Sequence, residues 1–569
     1  MAGQNGGSTG HSESTHGLDT MLVDAAVGGG GPRWLPGVAG AKATVKLGLK
    51  PQRVLRRAGG YGRELARIAA GRSELAPAKG DRRFKDEAWQ TNPAFKRLGQ
   101  SYLATGQYVD GLLNDADLAW ADEQRLRFVA ENVLDALAPT NFPATNPTVL
   151  KATIDTGGQN FVKGTRMFVK DMAKPPRVPT MVDTSQFTVG EDLATSPGKV
   201  VFRTPVFELM QYAPQTKRVR EVPLVVVPPM INKYYVTDLA PGRSMIEHAV
   251  ATGQQVFAIS WFNPGPEQAD WTLDTYVAAV LEALDATKRI TGCDSAHTIG
   301  LCAGGIVLSC AVAHLAAKGE QGRVAGITLG VCVLDNERSG TVSSFADERA
   351  AALAVAESAR KGYLSGRALA GVFAWLRPTD LIWNYWVNNY LLGKDPPAFD
   401  ILFWNADTTN MPAGLHRDFI EMSLHNTLVE PGGVEVLGTP VDLGKITADS
   451  YVVAGIADHI SAWQNCYRTT QLLGGEPRFV LSTSGHIAAM VNPPGNEKAS
   501  FQVAPKNPAD AEEWLASATK QRGTWWDDWV QWLGERSGEE RPAPKKLGRG
   551  KKDFAPREDA PGTYVFETV

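Results

Sequence analysis

Long apolar runs are missing from this chain. No stretch of about 18 consecutive apolar residues occurs in its 569 residues, so no membrane-spanning helix is expected. A charge excess is missing too. With 58 Lys and Arg against 61 Asp and Glu, the formal net charge is −3, and no global field favours nucleic acid or an anionic membrane. Cysteine is scarce: Cys293, Cys302, Cys310, Cys332 and Cys466 are an odd number of scattered residues without a Cys-x-x-Cys pair. That pattern points away from a disulfide scaffold or a zinc site and towards reduced thiols in a cytoplasm. The opening MAGQNGGSTGHSESTHG lacks the basic start and apolar core of a secretory signal. What is present, 43% hydrophobic and 21% charged residues, is ordinary for a soluble globular protein, and the length suggests two domains or one with a large insertion.

Texture divides the chain. Residues 1–35, rich in Gly, Ser and Thr, are expected to be disordered. Residues 36–185 read as a helical N-terminal domain; Leu126, Phe128, Val129, Val133, Leu134 and Leu137 fall near one helical face. From about residue 186, short apolar strands alternate with helices, including VPLVVVPPM, QQVFAISW, AHTIGLC, GITLGVCVLD, SYVVAGIAD and PRFVLSTSGH. Continuous apolar strands separated by helices predict a mostly parallel sheet covered on both faces. The domain built on this sheet is placed at 186–535. Between Asp335 and Ser450 lies a stretch too long for an ordinary connection, read as a cap insertion at about 340–440. Its aromatic run at 373–390 is too apolar for an exposed loop and is expected to cover the site or meet a partner subunit. The charged, Pro-rich tail at 536–569 is expected to be loosely ordered until GTYV, residues 562–565, near the end.

TIGLCAGGIVLSC, residues 298–310, has the strand, tight turn and small-residue helix of a nucleophile elbow, with Cys302 where serine hydrolases carry Ser. A buried structural cysteine is the bland alternative, but strand, glycines and helix occur here together. The helix N-terminus also favours a thiolate. In this architecture the order along the chain is nucleophile, acid, histidine. His486, ending the last clear strand in a TSGH turn, is the expected base. His314 lies too far along the elbow's own helix, His416 and His425 read as surface or packing residues, and His459 adjoins a better acid. Asp458 is favoured as the acid over Asp335, although Asp458 also fits a helix N-cap and Asp335 a turn residue. The oxyanion hole is expected to use the Ala303 amide and one near Met230, since Pro228 and Pro229 have no N–H.

The stretches PPMINKYYVTDL, ISWFNP, GLCAGG, FAWLRPTDLIWNYWVNNYLLG, FWNADTTNMP, ADHISAWQ and SGHIAAMVNPPGN are long and rarely shared. Through them most of the chain resembles polyhydroxyalkanoate synthases of the single-subunit type. The resemblance implies an α/β-hydrolase fold with a cap and a helical N-terminal domain, and it puts the family's catalytic Cys, Asp and His on Cys302, Asp458 and His486. It further implies transfer of (R)-3-hydroxyacyl groups from coenzyme A into a polyester, without metal or redox cofactor. A homodimer at cytoplasmic polymer granules is also implied. The cap and carboxyl-terminal stretches look most like the medium-chain class, although Ala303 stands where that class often has Ser. Two rivals are a thioesterase or lipase-like hydrolase on the same scaffold and a non-catalytic granule protein with a decayed site.

Overall fold

Strands buried on both faces need strand neighbours on each side and helices above and below, and the sheet is built that way. The computed structural model describes residues 22, 25–26, 37–173, 176–337 and 348–568. We number the strands of its main sheet β1 (Gly198–Arg203), β2 (Phe207–Tyr212), β3 (Leu224–Val227), β4 (Val256–Trp261), β5 (Ala296–Leu301), β6 (Val324–Gly330), β7 (Ser450–Gly455), β8 (Pro477–Ser482), β9 (Ser500–Val503) and β10 (Thr519–Arg522). Their spatial order is β1-β2-β4-β3-β5-β6-β7-β8-β9-β10. The run from β4 to β8 is parallel throughout, and antiparallel strands flank it on each side. Every residue of β3, β4, β5 and β7 is buried. The expected α/β-hydrolase arrangement is therefore present. Among the described residues no helix is long and apolar enough to cross a membrane.

Before the sheet come helices Gly37–Gly48, Pro51–Ala69, Pro93–Ala116, Trp120–Ala136, Pro147–Asp155 and Gln159–Met172. Two of them start at an Asn-Pro step. The Asn92 and Asn146 side chains each accept two backbone N–H groups of the first turn, and the proline at N1 has no N–H to satisfy. Between β6 and β7 the chain leaves the sheet for the cap, which carries helices Glu348–Lys361, Gly366–Leu376, Asp400–Ala406 and Ala413–Leu424.

The aromatic run of the cap has a neighbour that was not among the expected ones. Its π-helical segments, Pro378–Trp383 and Trp386–Leu391, rest on the N-terminal helices of the same chain. Phe168 meets Trp386 and Tyr390 edge-on, at 6.0 and 5.3 Å between centroids. Trp386 Nε1 donates to the Asn141 carbonyl at 3.0 Å, and Asn160 Nδ2 donates to the Leu391 carbonyl at 2.7 Å. The apolarity of the run thus serves a contact between two parts of one chain.

The two expectations of disorder are corrected only in part. Within 1–35, Leu22, Ala25 and Ala26 are helical and buried, and the Leu22 carbonyl faces His416 Nε2 at 3.2 Å; the rest of that stretch lies outside the described residues. The tail at 536–569 is ordered through residue 568. Residues Glu540–Pro542 pair with Arg218–Arg220, and the Thr563 and Tyr564 amides donate to the Glu208 carboxylate at 2.9 and 3.1 Å. Glu208 is fully buried on β2, so its charge requires these donors and its ion pair with Arg203. Composition alone cannot reveal such a partner.

Gly164 marks where the N-terminal domain meets the cap most closely, since a Cβ there would run into the Tyr390 carbonyl. In an exposed helix Gly→Ala stabilises by about 1 kcal/mol. Here G164A should instead destabilise by about 1–3 kcal/mol, the usual range for overpacking. Urea unfolding of the two forms reads the sign directly.

Candidate active site

The elbow forms because β5 runs straight into a helix. Cys302 sits between Leu301 and the helix Ala303–Ala317 at φ 50° and ψ −124°, a region that costs a non-glycine residue about 1–3 kcal/mol. Its N–H donates to the Gly330 carbonyl of β6 at 2.9 Å, and its carbonyl accepts from the Gly305 amide at 2.9 Å. The turn closes only with small residues: a Cβ on Gly300 would lie 2.6 Å from the Gly305 Cα, and one on Gly304 would lie 2.5 Å from the Pro228 carbonyl oxygen. Cys302 is partly accessible, while Cys310, Cys332 and Cys466 are buried. Burial pushes the Cys310 thiol up to about 12, so that sulfur stays protonated.

The ends of β7 and β8 interlock and bring the acid to the base. Ile456 N donates to the Ser482 carbonyl at 2.8 Å and Ala457 N to the Ser484 carbonyl at 3.1 Å. Asp458 then has its side chain fully buried, with His486 nearly so, and His486 Nδ1 pairs with Asp458 Oδ2 at 2.7 Å. The second Asp458 oxygen accepts from the Ile460 and Ser461 amides at 2.8 and 2.9 Å. The alternative role of Asp458 as a cap is thus partly real: it holds the 458–461 turn, whereas the following helix begins at Trp463. Burial alone pulls the His486 pKa down. The charge and hydrogen bond of Asp458, followed by the hydrogen bond and charge of Cys302, overcome it and raise the group to about 10. Cys302 is thus with Asp458 among the groups that raise His486, which puts its sulfur in the electrostatic neighbourhood of the His486–Asp458 pair.

Asp335 is occupied elsewhere, accepting from Glu337 N at 2.8 Å and Asn426 Nδ2 at 2.9 Å and pairing with Arg468 at 3.4 Å. His416 is buried in the cap with Ser358 Oγ 2.7 Å from its Nδ1, a packing role. His314 stays on the elbow helix and His425 ends a cap helix. Ala303 opens the elbow helix and Met230 lies in the loop after β3. Among the described residues no hydrogen bond is seen from the amides of Met230 and Ile231, and the Ala303 amide lies in the first turn of its helix.

Sequence reasoning missed how the loop carrying Met230 is held. Thr409 Oγ1 donates to the Met230 carbonyl at 2.8 Å, Trp404 Nε1 to the Lys233 carbonyl at 2.7 Å, and Tyr235 OH to Asp407 at 2.8 Å. The stretch FWNADTTN was visible as a cap segment, but no spacing rule links it to a loop some 170 residues earlier.

Residues 232–493 match the alpha/beta hydrolase fold family, which fixes the class of the catalytic domain. Residues 80–249 match the family described as Poly-beta-hydroxybutyrate polymerase (PhaC) N-terminus. The chain is 46% identical to Poly(3-hydroxyalkanoate) polymerase 1 of Ectopseudomonas oleovorans, across 89% of this chain and 90% of that protein. It is 43% identical to Poly(3-hydroxyalkanoate) polymerase 2 of the same organism, with the same coverage. The Poly(3-hydroxyalkanoate) polymerase subunit PhaC of Cupriavidus necator is 39% identical, across 88% of this chain and 85% of that one. The chain belongs to the poly(3-hydroxyalkanoate) polymerase family.

The raised His486 pKa has a direct test. With Asp458→Asn the largest raising influence disappears while burial still lowers and only Cys302 still raises, so the His486 pKa should fall well below about 10. Imidazole NMR titration, with His486→Gln assigning the signal, measures it. An unmoved titration would show that Asp458 does not hold the proton on His486.

Proposed function

We propose that this enzyme polymerises (R)-3-hydroxyacyl groups from coenzyme A thioesters into a polyhydroxyalkanoate, carrying each group on Cys302. The observation that carries the reading is the 46% identity, across nine-tenths of its relative's length, to a protein named for that polymerisation. Cys302 at its elbow and the hydrogen-bonded His486–Asp458 pair support the covalent route.

In loading, His486 takes the Cys302 proton and the sulfur attacks the thioester carbonyl carbon. The oxygen gathers charge opposite the Ala303 amide and an amide near Met230. The bond to the coenzyme A sulfur breaks, and that thiolate leaves with the proton from His486. In elongation, the 3-hydroxyl of a second acyl unit attacks the Cys302 thioester carbonyl. Its proton passes to the His486–Asp458 pair and then to the departing Cys302 sulfur. One thioester becomes another and then an oxoester, so the free energy of the thioester is kept until the polyester bond forms. A serine would give up that driving force at the loading step. The route needs no metal or redox cofactor. A medium acyl chain, a homodimer as the active form, and a place at cytoplasmic polymer granules complete the reading; they rest on the family resemblance.

Roles separate by variant. Cys302→Ala should abolish acyl attachment, and the same change at Cys293, Cys310, Cys332 or Cys466 should leave it intact. Asp458→Asn should still form an acyl-Cys302 adduct, detectable by intact mass, yet lose about 100-fold or more in polymer, because a secondary hydroxyl needs general-base help more than a thiol does. His486→Ala should lose loading as well, and Asp335→Asn should keep most activity. Coenzyme A release from (R)-3-hydroxybutyryl and (R)-3-hydroxydecanoyl thioesters, with product sizing, reads all of these. Free hydroxy acid instead of polymer from the unsubstituted enzyme would establish the hydrolase alternative.

A further inference from the structure

The loop after β3, residues 228–235, is fixed by partners distant in sequence. The cap supplies Trp404, Asp407 and Thr409, while the Asn232 backbone bridges to Thr408. A second set comes from the far end of the chain. Lys233, only 3% exposed, donates its ammonium to the backbone carbonyl of Glu567 and, at 3.5 Å, to that of Tyr564. The Glu567 carboxylate accepts the Asn263 amide at 3.0 Å, and Asn263 Oδ1 accepts the Asn410 amide at 2.9 Å, which returns the network to the cap.

A buried ammonium without acceptors is costly, several kcal/mol for an unpaired ion. Burial pulls the Lys233 pKa down, and the charges of Asp407 and Glu567 oppose it. The charge therefore ties the loop to residues 563–567: if that segment leaves, Lys233 loses its carbonyl acceptors and the loop loses its reason to stay. The segment is itself anchored outside the loop. Glu208 holds its amides, Tyr564 stacks edge-on against Phe262 at 5.2 Å, and Val565 is buried. The loop's own Met230 and Ile231 amides donate to nothing among the described residues.

We propose that Lys233 is a positioning residue and residues 563–567 a strap, which together hold the Met230–Ile231 peptide groups where they stabilise the oxyanion formed at Cys302. The inference rests on the acyl-Cys302 reading above. It implies that the strap acts on acyl transfer and not on the sulfur itself.

Two reactions at the same sulfur separate these effects. Alkylation of Cys302 by iodoacetamide is a displacement at saturated carbon and forms no oxyanion. Loading from a 3-hydroxyacyl-CoA in a single turnover passes through one. Lys233→Met and deletion of residues 563–569 should each slow loading about 10- to 100-fold, the range for a misplaced or lost oxyanion donor. Alkylation should stay within about twofold of the unsubstituted enzyme, because a displaced peptide dipole leaves that reaction untouched. Lys233→Arg, which keeps the charge, should recover part of the loss. The deletion carries the test if Lys233→Met does not fold. Loading at the normal rate in Lys233→Met or in the deletion overturns the proposal, and so does a parallel fall in alkylation, which would mean a general structural role. Absence of loading in the unsubstituted enzyme would overturn the acyl-Cys302 reading itself, and this inference with it.

Discussion

The site depends on one backbone conformation, that of Cys302. At φ 50° and ψ −124° the residue is held where few side chains settle, because β5 must end and a helix must begin within a single residue. Three things make the strain tolerable. The amide is satisfied by β6, the carbonyl by Gly305, and Gly300 and Gly304 leave room for the helix to press against the strands. In return the sulfur stands at the start of a helix, beside its first free amides, where negative charge is favoured. Larger residues at Gly300 or Gly304 would push back the helix that gives the sulfur this place.

The other half of the site follows from how β7 and β8 end. Their outgoing loops exchange backbone hydrogen bonds, which sets Asp458 against His486 at 2.7 Å in a setting that excludes water from the carboxylate. Burial and charge then pull in opposite directions on the imidazole, and charge wins. The outcome is an imidazole that favours its protonated form beside the buried Asp458.

Much of this was legible in the sequence, and the reasons are local. Each strand of the parallel run is a short apolar stretch, and GLCAGG encodes its turn through residue size alone. The order Cys302, Asp458, His486 follows from strand succession, so chain order places the acid and the base. Residues whose roles depend on distant partners were not legible. Nothing near Glu208 or Lys233 announces that residues 563–567 will bind them, and a polar, Pro-rich tail looks the same whether it is loose or strapped down. Leu22 was hidden for the same reason: the short apolar run MLVDAAV stands between Gly-rich stretches and does not show its distant partner. The aromatic run was read as too apolar for an exposed loop, but apolarity does not name a neighbour; one of them, Phe168, lies more than 200 residues earlier.

The claim that the acyl group travels as a thioester on Cys302 can be met at the atom concerned. The enzyme would be mixed with radiolabelled (R)-3-hydroxydecanoyl-CoA for less than one turnover, quenched in acid, digested, and its labelled peptide sequenced by mass spectrometry. The account predicts label on the peptide containing Cys302, released by neutral hydroxylamine as a thioester is. Label on any other residue, or polymer formed with no enzyme-bound label at any time, would contradict it.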